Sequence, residues 1–131
     1  MNAPVLVRRY PALAQEIGRI RHDVRTYARD QGVRDLDAVA LAVTEAVTNA
    51  VVHAYVGAPQ PGEVEVVVRR LDDDGLEILV CDEGRGMMPR TDSPGLGLGL
   101  PLAATLAERF EVQARSGGGT RVRMAFPAGR A

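Results

Sequence analysis

The chain has 131 residues and a formal net charge of -1, and 46% of its residues are hydrophobic while only 4% are aromatic. A chain of this length and composition is expected to form one domain, spanning residues 1–131, with a core built from Val, Leu and Ala. The near-neutral charge does not indicate a nucleic-acid-binding surface, and no basic helix pattern suggests binding to a membrane surface. Proteins or small molecules are therefore the expected partners.

The first third of the chain has a strand pattern followed by a helix pattern. Residues 5–10 form a short strand candidate, and Pro11 ends it and suits the first position of a helix. From Ala12 to Asp30, apolar residues recur every three or four positions while arginines take the other side. This predicts an amphipathic helix, closed by Gln31-Gly32. Asp35 is expected to cap the next helix by accepting its free N–H groups.

The second helix pattern, over residues 41–55, is apolar but carries a few polar side chains. Glu45 and Asn49 lie four residues apart and therefore share one helix face, with His53 one turn further along. That face suggests a binding site, although an ordinary wet face of a helix gives the same pattern. The opposite stripe is expected to pack on a sheet and consists of Val39, Val43, Ala46, Val47, Ala50, Val51 and Ala54.

The second half of the chain reads as two hairpins separated by a glycine-rich segment and a helix. The Asp-Gly pair at the end of Asp72–Gly75 is a strong hairpin signal between two strand patterns. The predicted elements are strands at 63–71 and 76–81, a long loop at 82–100, a helix at 101–107, and strands at 109–115 and 120–126. Strands grouped with helices in this order favour an α+β two-layer sandwich.

A first glycine-rich segment follows the strand that ends at Cys81. Asp82 closes this strand, and Gly84 and Gly86 lack a Cβ, which lets a ligand approach the backbone closely. A carboxylate in this place can accept a hydrogen bond from an exocyclic amine such as that of adenine. A simple turn aspartate at a strand exit is the plainer alternative.

A second glycine-rich segment has glycines at positions 95, 97 and 99 and precedes a helix that Pro101 helps to start. Successive backbone N–H groups at a helix start form an anion nest, which suits phosphate. A flexible linker gives a similar repeat. A P-loop is excluded because the chain contains no lysine, and the spacing differs from the G-x-G-x-x-G dinucleotide fingerprint.

In this order, the segment from Glu45 to Tyr55, the segment from Asp82 to Met87 and the glycines from Gly95 to Gly99 resemble the N, G1 and G2 boxes of the GHKL ATPases. The resemblance implies the Bergerat fold, also found in histidine-kinase ATPase domains: a two-layer sandwich of a mostly antiparallel mixed sheet with helices on one face. It also implies that nucleotide is held between the sheet, the second helix and the glycine-rich lid.

The resemblance implies a role for each motif residue. Asp82 would bind the adenine amine, Asn49 would bind Mg²⁺ of Mg-ATP, and Glu45 would act as the catalytic base. Thr120, after Gly119, resembles the terminal Gly-Thr element that reaches the adenine. The remaining residues expected to contact ATP are Gly84, Gly86, Met87, Gly95, Leu96, Gly97, Leu98 and Gly99.

Within this superfamily the chain is most similar to the anti-sigma regulatory factors, through Glu-Ala-Val-Thr-Asn-Ala followed by His53-Ala-Tyr55. The resemblance implies a serine/threonine kinase that phosphorylates an anti-anti-sigma protein of the STAS type and sequesters a sigma factor. A homodimer is compatible with it. The alternative is a non-catalytic module that binds ATP and senses nucleotide or sequesters a partner, and the presence of Glu45 favours the kinase.

The sequence also predicts a cytoplasmic location. Cys81 is the only cysteine, as expected for a protein in a reducing compartment, and it is expected to be a packed thiol. The N-terminus has no basic region followed by an apolar core, and no run is expected to approach the roughly 20 apolar residues of a membrane span.

Overall fold

A computed structural model describes residues 4–55, 57–84 and 99–129 of the chain. Within these ranges the chain forms five strands and three α-helices, in the order that the sequence predicts. The bounds that differ most from prediction are the start of the first helix and the end of the second. The elements are β1 (Pro4–Pro11), α1 (Ile17–Asp30), α2 (Leu36–Asn49), β2 (Glu63–Arg70), β3 (Leu76–Asp82), α3 (Gly99–Leu106), β4 (Arg109–Ala114) and β5 (Thr120–Phe126).

The strands form one sheet in the order β1-β2-β3-β5-β4, and helices α1, α2 and α3 pack their buried side chains against one of its faces. The predicted α+β two-layer sandwich is therefore confirmed. Where a mixed sheet was expected, every neighbouring pair of described strands is antiparallel. Strands β3 and β4 run in the same direction, but they are not neighbours because β5 lies between them.

Side chains of the central strands alternate between the two faces of the sheet. In β2, Val64, Val66 and Val68 point into the core beneath the helices. On the opposite face, Val67, Leu79 and Cys81 form a second, smaller buried cluster. Burial raises the pKa of the Cys81 thiol above its usual value, which agrees with its interpretation as a packed thiol.

The hairpin between β2 and β3 closes with local hydrogen bonds. The Leu71 N–H donates to the Gly75 carbonyl at 2.8 Å, and the Asp74 N–H donates to the Leu71 carbonyl at 2.9 Å. Asp74 has a φ of 67°, a left-handed conformation that aspartate tolerates better than most residues. The Asp-rich turn thus fixes the register that pairs Val64 with Asp82 at the far end of the hairpin.

Helix α1 begins later than predicted. Pro11 still belongs to β1, the Ala12 N–H donates to the Gly62 carbonyl at 2.9 Å, and Leu13 is extended with a φ of -121°. The backbone is therefore held in an extended course beside the start of β2, and it enters α1 through a 3₁₀ turn at Ala14–Glu16. The predicted end is confirmed, since Gly32 follows with a φ of 79°.

Helix α2 runs on into a five-residue π-helix, Ala50–Ala54, so the predicted regular helix up to Tyr55 was wrong in its last turn. The combined stretch Leu36–Ala54 has 19 residues and a mean hydropathy of 1.2, which is long and apolar enough to cross a membrane by length and composition. The prediction that no such run exists was wrong, because the few polar residues of this stretch hardly lower its mean hydropathy. In the fold, α2 packs against both α1 and α3 and contributes to the core, which accounts for the apolar run.

The start of α2 provides a test of the predicted N-cap. Asp35 accepts a hydrogen bond from the Ala38 N–H at 3.0 Å, as the sequence predicts. Asp35→Ala should lower the free energy of unfolding by about 1 kcal/mol, measured by urea denaturation. Asp37→Ala is the matched control, because its exposed carboxylate caps no N–H, and its pairing with Arg25 at 3.3 Å and its place in the first turn contribute less than a cap. An equal loss in both variants would contradict the assignment of the cap.

Candidate functional site

The site is centred on Asp82, the last residue of β3, whose side chain is buried with 6% relative exposure. Its Oδ1 accepts hydrogen bonds from the Gly84 N–H at 3.0 Å and from the Thr120 N–H at 3.3 Å. Thr120 lies directly opposite Asp82 in the β3–β5 pairing and is itself buried. Among the described residues, Oδ2 has no hydrogen-bond partner. One oxygen of the carboxylate is therefore satisfied by the protein, and the other is available to a ligand.

The surroundings of Asp82 have opposing effects on its charge. Burial raises the pKa of the carboxyl above its usual value, while the hydrogen bonds from Gly84 and Thr120 and the positive charge of Arg115 act in the opposite direction. Arg115 also donates from Nη1 to the Asp82 backbone carbonyl at 2.8 Å. Arg115 is not among the residues predicted from the sequence, because its proximity to Asp82 depends on β5 rather than β4 lying beside β3.

Two glycines at the site are required by close contacts between backbone segments. A Cβ on Gly84 would overlap the carbonyl oxygen of Ala54, at the end of the π-helix. Gly119 has a φ of 99°, and a Cβ there would overlap the carbonyl oxygen of Asp82. The sequence predicted Gly84 as space for a ligand. The structure adds a second requirement, since Gly84 allows the exit of β3 to contact the helix layer.

Glu45 and Asn49 lie on one face of α2, because both are within its α-helical part and are separated by four residues. Both are half-buried, and within the described ranges neither side chain has a hydrogen-bond or ion-pair partner. His53 is half-buried in the π-helix, where i→i+5 hydrogen bonding widens the turn. It lies four residues beyond Asn49, within the wider turn of the π-helix.

Tyr55 joins the helix layer to the sheet. Its hydroxyl donates to the Glu63 carbonyl at the start of β2, at 2.7 Å, and accepts a hydrogen bond from the Glu83 N–H at 3.0 Å. A Cβ on Gly62 would overlap the Tyr55 ring. In the sequence, His53-Ala-Tyr55 contributes only to the resemblance to the anti-sigma regulatory factors, and nothing in the helical pattern indicates this bridge.

The structure thus brings together Asp82, Gly84 and Thr120, and it connects them through Ala54 to the end of the helix that carries Glu45 and Asn49. Gly99 is the first residue of α3. The other predicted site residues lie outside the described ranges; they are Gly86, Met87, Gly95, Leu96, Gly97 and Leu98.

The donor set also bears on metal binding. The described residues include no group of three or more His, Cys, Asp and Glu side chains that could hold a metal ion. Asn49 instead offers a single amide oxygen at the end of α2. Mg²⁺ commonly takes few protein ligands and completes its octahedral shell with phosphate oxygens and water, so Asn49 fits a metal ion that arrives with a nucleotide.

A family model for the histidine kinase-like ATPase domain matches residues 10–126, which is most of the chain. The protein belongs to this family. The match extends from the end of β1 to the end of β5 and so includes Glu45, Asn49, Asp82 and Thr120. Membership in the histidine kinase-like ATPase family confirms the resemblance drawn from the three sequence motifs, and it implies the use of ATP.

Two relatives narrow the comparison within the histidine kinase-like ATPase family. A protein named serine-protein kinase RsbW, from Bacillus pumilus, is 38% identical over 126 residues, covering 82% of this chain and 76% of the relative. A protein named anti-sigma F factor, from Clostridium acetobutylicum, is 32% identical over 106 residues, covering 72% of each. Both names agree with the branch to which the sequence motifs are most similar.

Solved structures confirm the fold. The histidine kinase domain of a blue-light activated histidine kinase from Erythrobacter litoralis EL346 superposes with a TM-score of 0.60 at 24% identity. The superposition covers 90% of this chain and 61% of that one. The mycobacterial sensor histidine kinase MprB gives a TM-score of 0.59 at 20% identity, covering 96% of this chain and all of that one. At these identities the similarity concerns the histidine kinase-like ATPase fold alone.

The raised pKa of Asp82 predicts how stability changes with pH. Because the folded protein holds this proton more tightly than the unfolded chain, the contribution is fully present below the usual pKa of 3.8 and is lost as the pH rises through the folded value. Asp82→Asn removes the ionisation but keeps an oxygen that can accept from Gly84 and Thr120. Its free energy of unfolding, relative to wild type, should therefore increase between about pH 3.5 and pH 7. A difference that stays constant across urea titrations in this range would contradict the prediction.

Proposed function

We propose that this protein is an ATP-dependent serine/threonine kinase that phosphorylates an anti-anti-sigma protein of the STAS type and sequesters a sigma factor. The observation that carries the kinase is Glu45, a half-buried carboxylate without a partner among the described residues, one turn from the proposed metal ligand Asn49. The names of the relatives, serine-protein kinase and anti-sigma factor, support the choice of substrate and partner.

Asp82 reads the adenine in this proposal. Its Oδ2 accepts a hydrogen bond from the exocyclic amine, while Oδ1 remains bound to the Gly84 and Thr120 N–H groups. A base with a keto group in that position would bring two acceptors together and leave both without a donor. Thr120, Gly84, Gly86 and Met87 would surround the base.

The phosphates would be held at the glycine-rich segment before α3, where backbone N–H groups from Gly95, Leu96, Gly97, Leu98 and Gly99 suit an anion. This part of the proposal rests on the sequence pattern. Asn49 would hold the Mg²⁺ that accompanies ATP, and the bound Mg-ATP supplies an activated γ-phosphoryl group.

Glu45 is the proposed general base. The oxygen of a partner's Ser or Thr hydroxyl forms a bond to the γ-phosphorus, the bond from that phosphorus to the ADP oxygen breaks, and Glu45 takes the hydroxyl proton. Its half-buried position and lack of a described partner leave the carboxylate free to accept that proton. The products are a phosphorylated partner and ADP.

In this proposal the protein is cytoplasmic and its single domain spans residues 1–131. Its partners are proteins rather than nucleic acid or a membrane. A homodimer is compatible with it. The competing function is a non-catalytic ATP-binding module that sequesters a partner. Phosphotransfer from labelled ATP to candidate anti-anti-sigma proteins separates the two, because only the kinase transfers phosphate.

Nucleotide choice tests the role of Asp82. ATP and ADP should bind measurably more tightly than GTP in calorimetry, since only adenine presents an amine to Oδ2. Asp82→Asn should lose most of the ATP affinity, because an amide carries no charge and can present its N–H₂ group instead of its oxygen. Asp37→Asn, an exposed replacement of the same kind in the first turn of α2, should bind ATP as wild type does. Equal affinities for ATP and GTP in the wild type would refute this role.

A pair of substitutions on α2 separates metal binding from base catalysis. Asn49→Ala should weaken Mg-ATP binding as well as turnover, because a metal ligand acts in the ground state. Glu45→Gln should leave ATP binding nearly intact and slow phosphotransfer by roughly 10²–10⁴-fold, the range of a positioned general base.

Glu111→Gln is a control on the opposite face of the sheet, where Glu111 pairs with Arg123 at 3.8 Å. It should change neither quantity. Loss of ATP binding in Glu45→Gln would assign that residue to the metal shell or to structure instead. Wild-type protein that binds ATP but transfers phosphate to no cognate partner would favour the non-catalytic module.

A further inference from the structure

The peptide unit between Asp82 and Glu83 is held at both of its polar ends. Its carbonyl oxygen accepts a hydrogen bond from Arg115 Nη1 at 2.8 Å, and its N–H donates to the Tyr55 hydroxyl at 3.0 Å. A peptide unit is planar, so fixing both ends fixes the orientation of the whole plane. That plane begins at the Cα of Asp82 and therefore limits the directions in which the Asp82 side chain can point.

The Tyr55 hydroxyl is itself fixed. It donates its own proton to the Glu63 carbonyl at 2.7 Å, and its ring lies where a Cβ on Gly62 would stand. The hydroxyl thus donates to a carbonyl at the start of β2 and accepts from an N–H just after β3. Because Gly84 also packs against the Ala54 carbonyl, both Glu83 and Gly84 are held at the end of the π-helix.

Glu83 is exposed to solvent, so its N–H could bind water if the Tyr55 hydroxyl did not accept from it. The hydrogen bond connects the residue after the buried carboxylate to the helix that carries Glu45 and Asn49. It therefore acts on the residue next to Asp82, whose Oδ2 must point at the base in the proposed adenine site.

We propose that Tyr55 is a positioning residue for nucleotide selectivity: its hydroxyl, opposite Arg115, orients the Asp82–Glu83 peptide so that Oδ2 of Asp82 meets the exocyclic amine of adenine. This inference rests on the proposed role of Asp82. Without the hydroxyl the peptide plane gains freedom, and Asp82 discriminates less well between an amine and a keto group.

Tyr55→Phe tests the proposal, because it keeps the ring beside Gly62 and removes only the hydroxyl. ATP affinity should fall by on the order of tenfold, the usual effect of one lost hydrogen bond. Affinity for ITP, which has a keto group in place of the amine, should fall less, so the ATP-to-ITP affinity ratio should decrease. Calorimetry with both nucleotides measures this ratio directly.

Tyr10→Phe is the matched control. It also removes a tyrosine hydroxyl, which donates to Asp23 Oδ2 at 2.9 Å, but it lies between β1 and α1, away from Asp82. Its ATP-to-ITP ratio should equal that of wild type even if the protein becomes less stable. The amide proton of Glu83 gives an independent signal, since its hydrogen exchange should be faster in Tyr55→Phe and unchanged in Tyr10→Phe.

Gly62→Ala is a second variant for the case in which Tyr55→Phe does not fold. It should displace the ring while leaving the hydroxyl present, and it should lower the same ratio. Equal losses of ATP and ITP affinity, or an unchanged ratio with faster exchange at Glu83, would overturn the positioning role and leave adenine reading by Asp82 intact. Wild-type protein that binds ATP and ITP equally would overturn adenine reading, and this inference with it.

Discussion

The structure around the site depends on the burial of one carboxylate. Asp82 stands at the end of a central strand with one oxygen bound to two backbone N–H groups and the other without a described partner. A buried carboxylate is costly unless hydrogen bonds support it, so both neighbouring segments must supply donors. The adjacent strand supplies Thr120, and the turn after β3 supplies Gly84. The positions of β5 and of the glycine segment are thus tied to a single side chain.

The sheet also lies close to the end of the π-helix beside Asp82. A Cβ on Gly84 would overlap the Ala54 carbonyl, and a Cβ on Gly62 would overlap the Tyr55 ring, so both glycines allow the sheet to lie close to the end of the π-helix. Asp82, the proposed adenine-binding residue, and the proposed catalytic face of α2 are therefore parts of one packed unit. In such a unit, a substitution that changes spacing affects binding and chemistry together.

Much of this arrangement could be predicted from sequence because its signals are local. The Asp-Gly turn identified the first hairpin, Asp35 identified a helix start, and the glycines around Asp82 identified a strand exit. The pairing of Asp82 with Thr120 could not be derived locally, since it requires β5 to insert between β3 and β4. The start of α1 was misplaced because residues 12–16 continue the helical pattern. The Ala12 N–H nevertheless donates to the Gly62 carbonyl, which holds the backbone there in an extended course. Tyr55 gave no local signal because its two partners, Glu63 and Glu83, are distant in sequence.

Because Ala50–Ala54 is a π-helix, the position of Tyr55 depends on the number of residues that follow Asn49. An α-helix bonds residue i to i+4 and a π-helix bonds residue i to i+5, so the wide turn holds one more residue than a regular turn does. With one residue fewer, the turn would wind as a regular α-helix, and Tyr55 would approach Glu63 and Glu83 from a narrower turn. For related chains, the number of residues between Asn49 and Tyr55 therefore carries as much information as their identity.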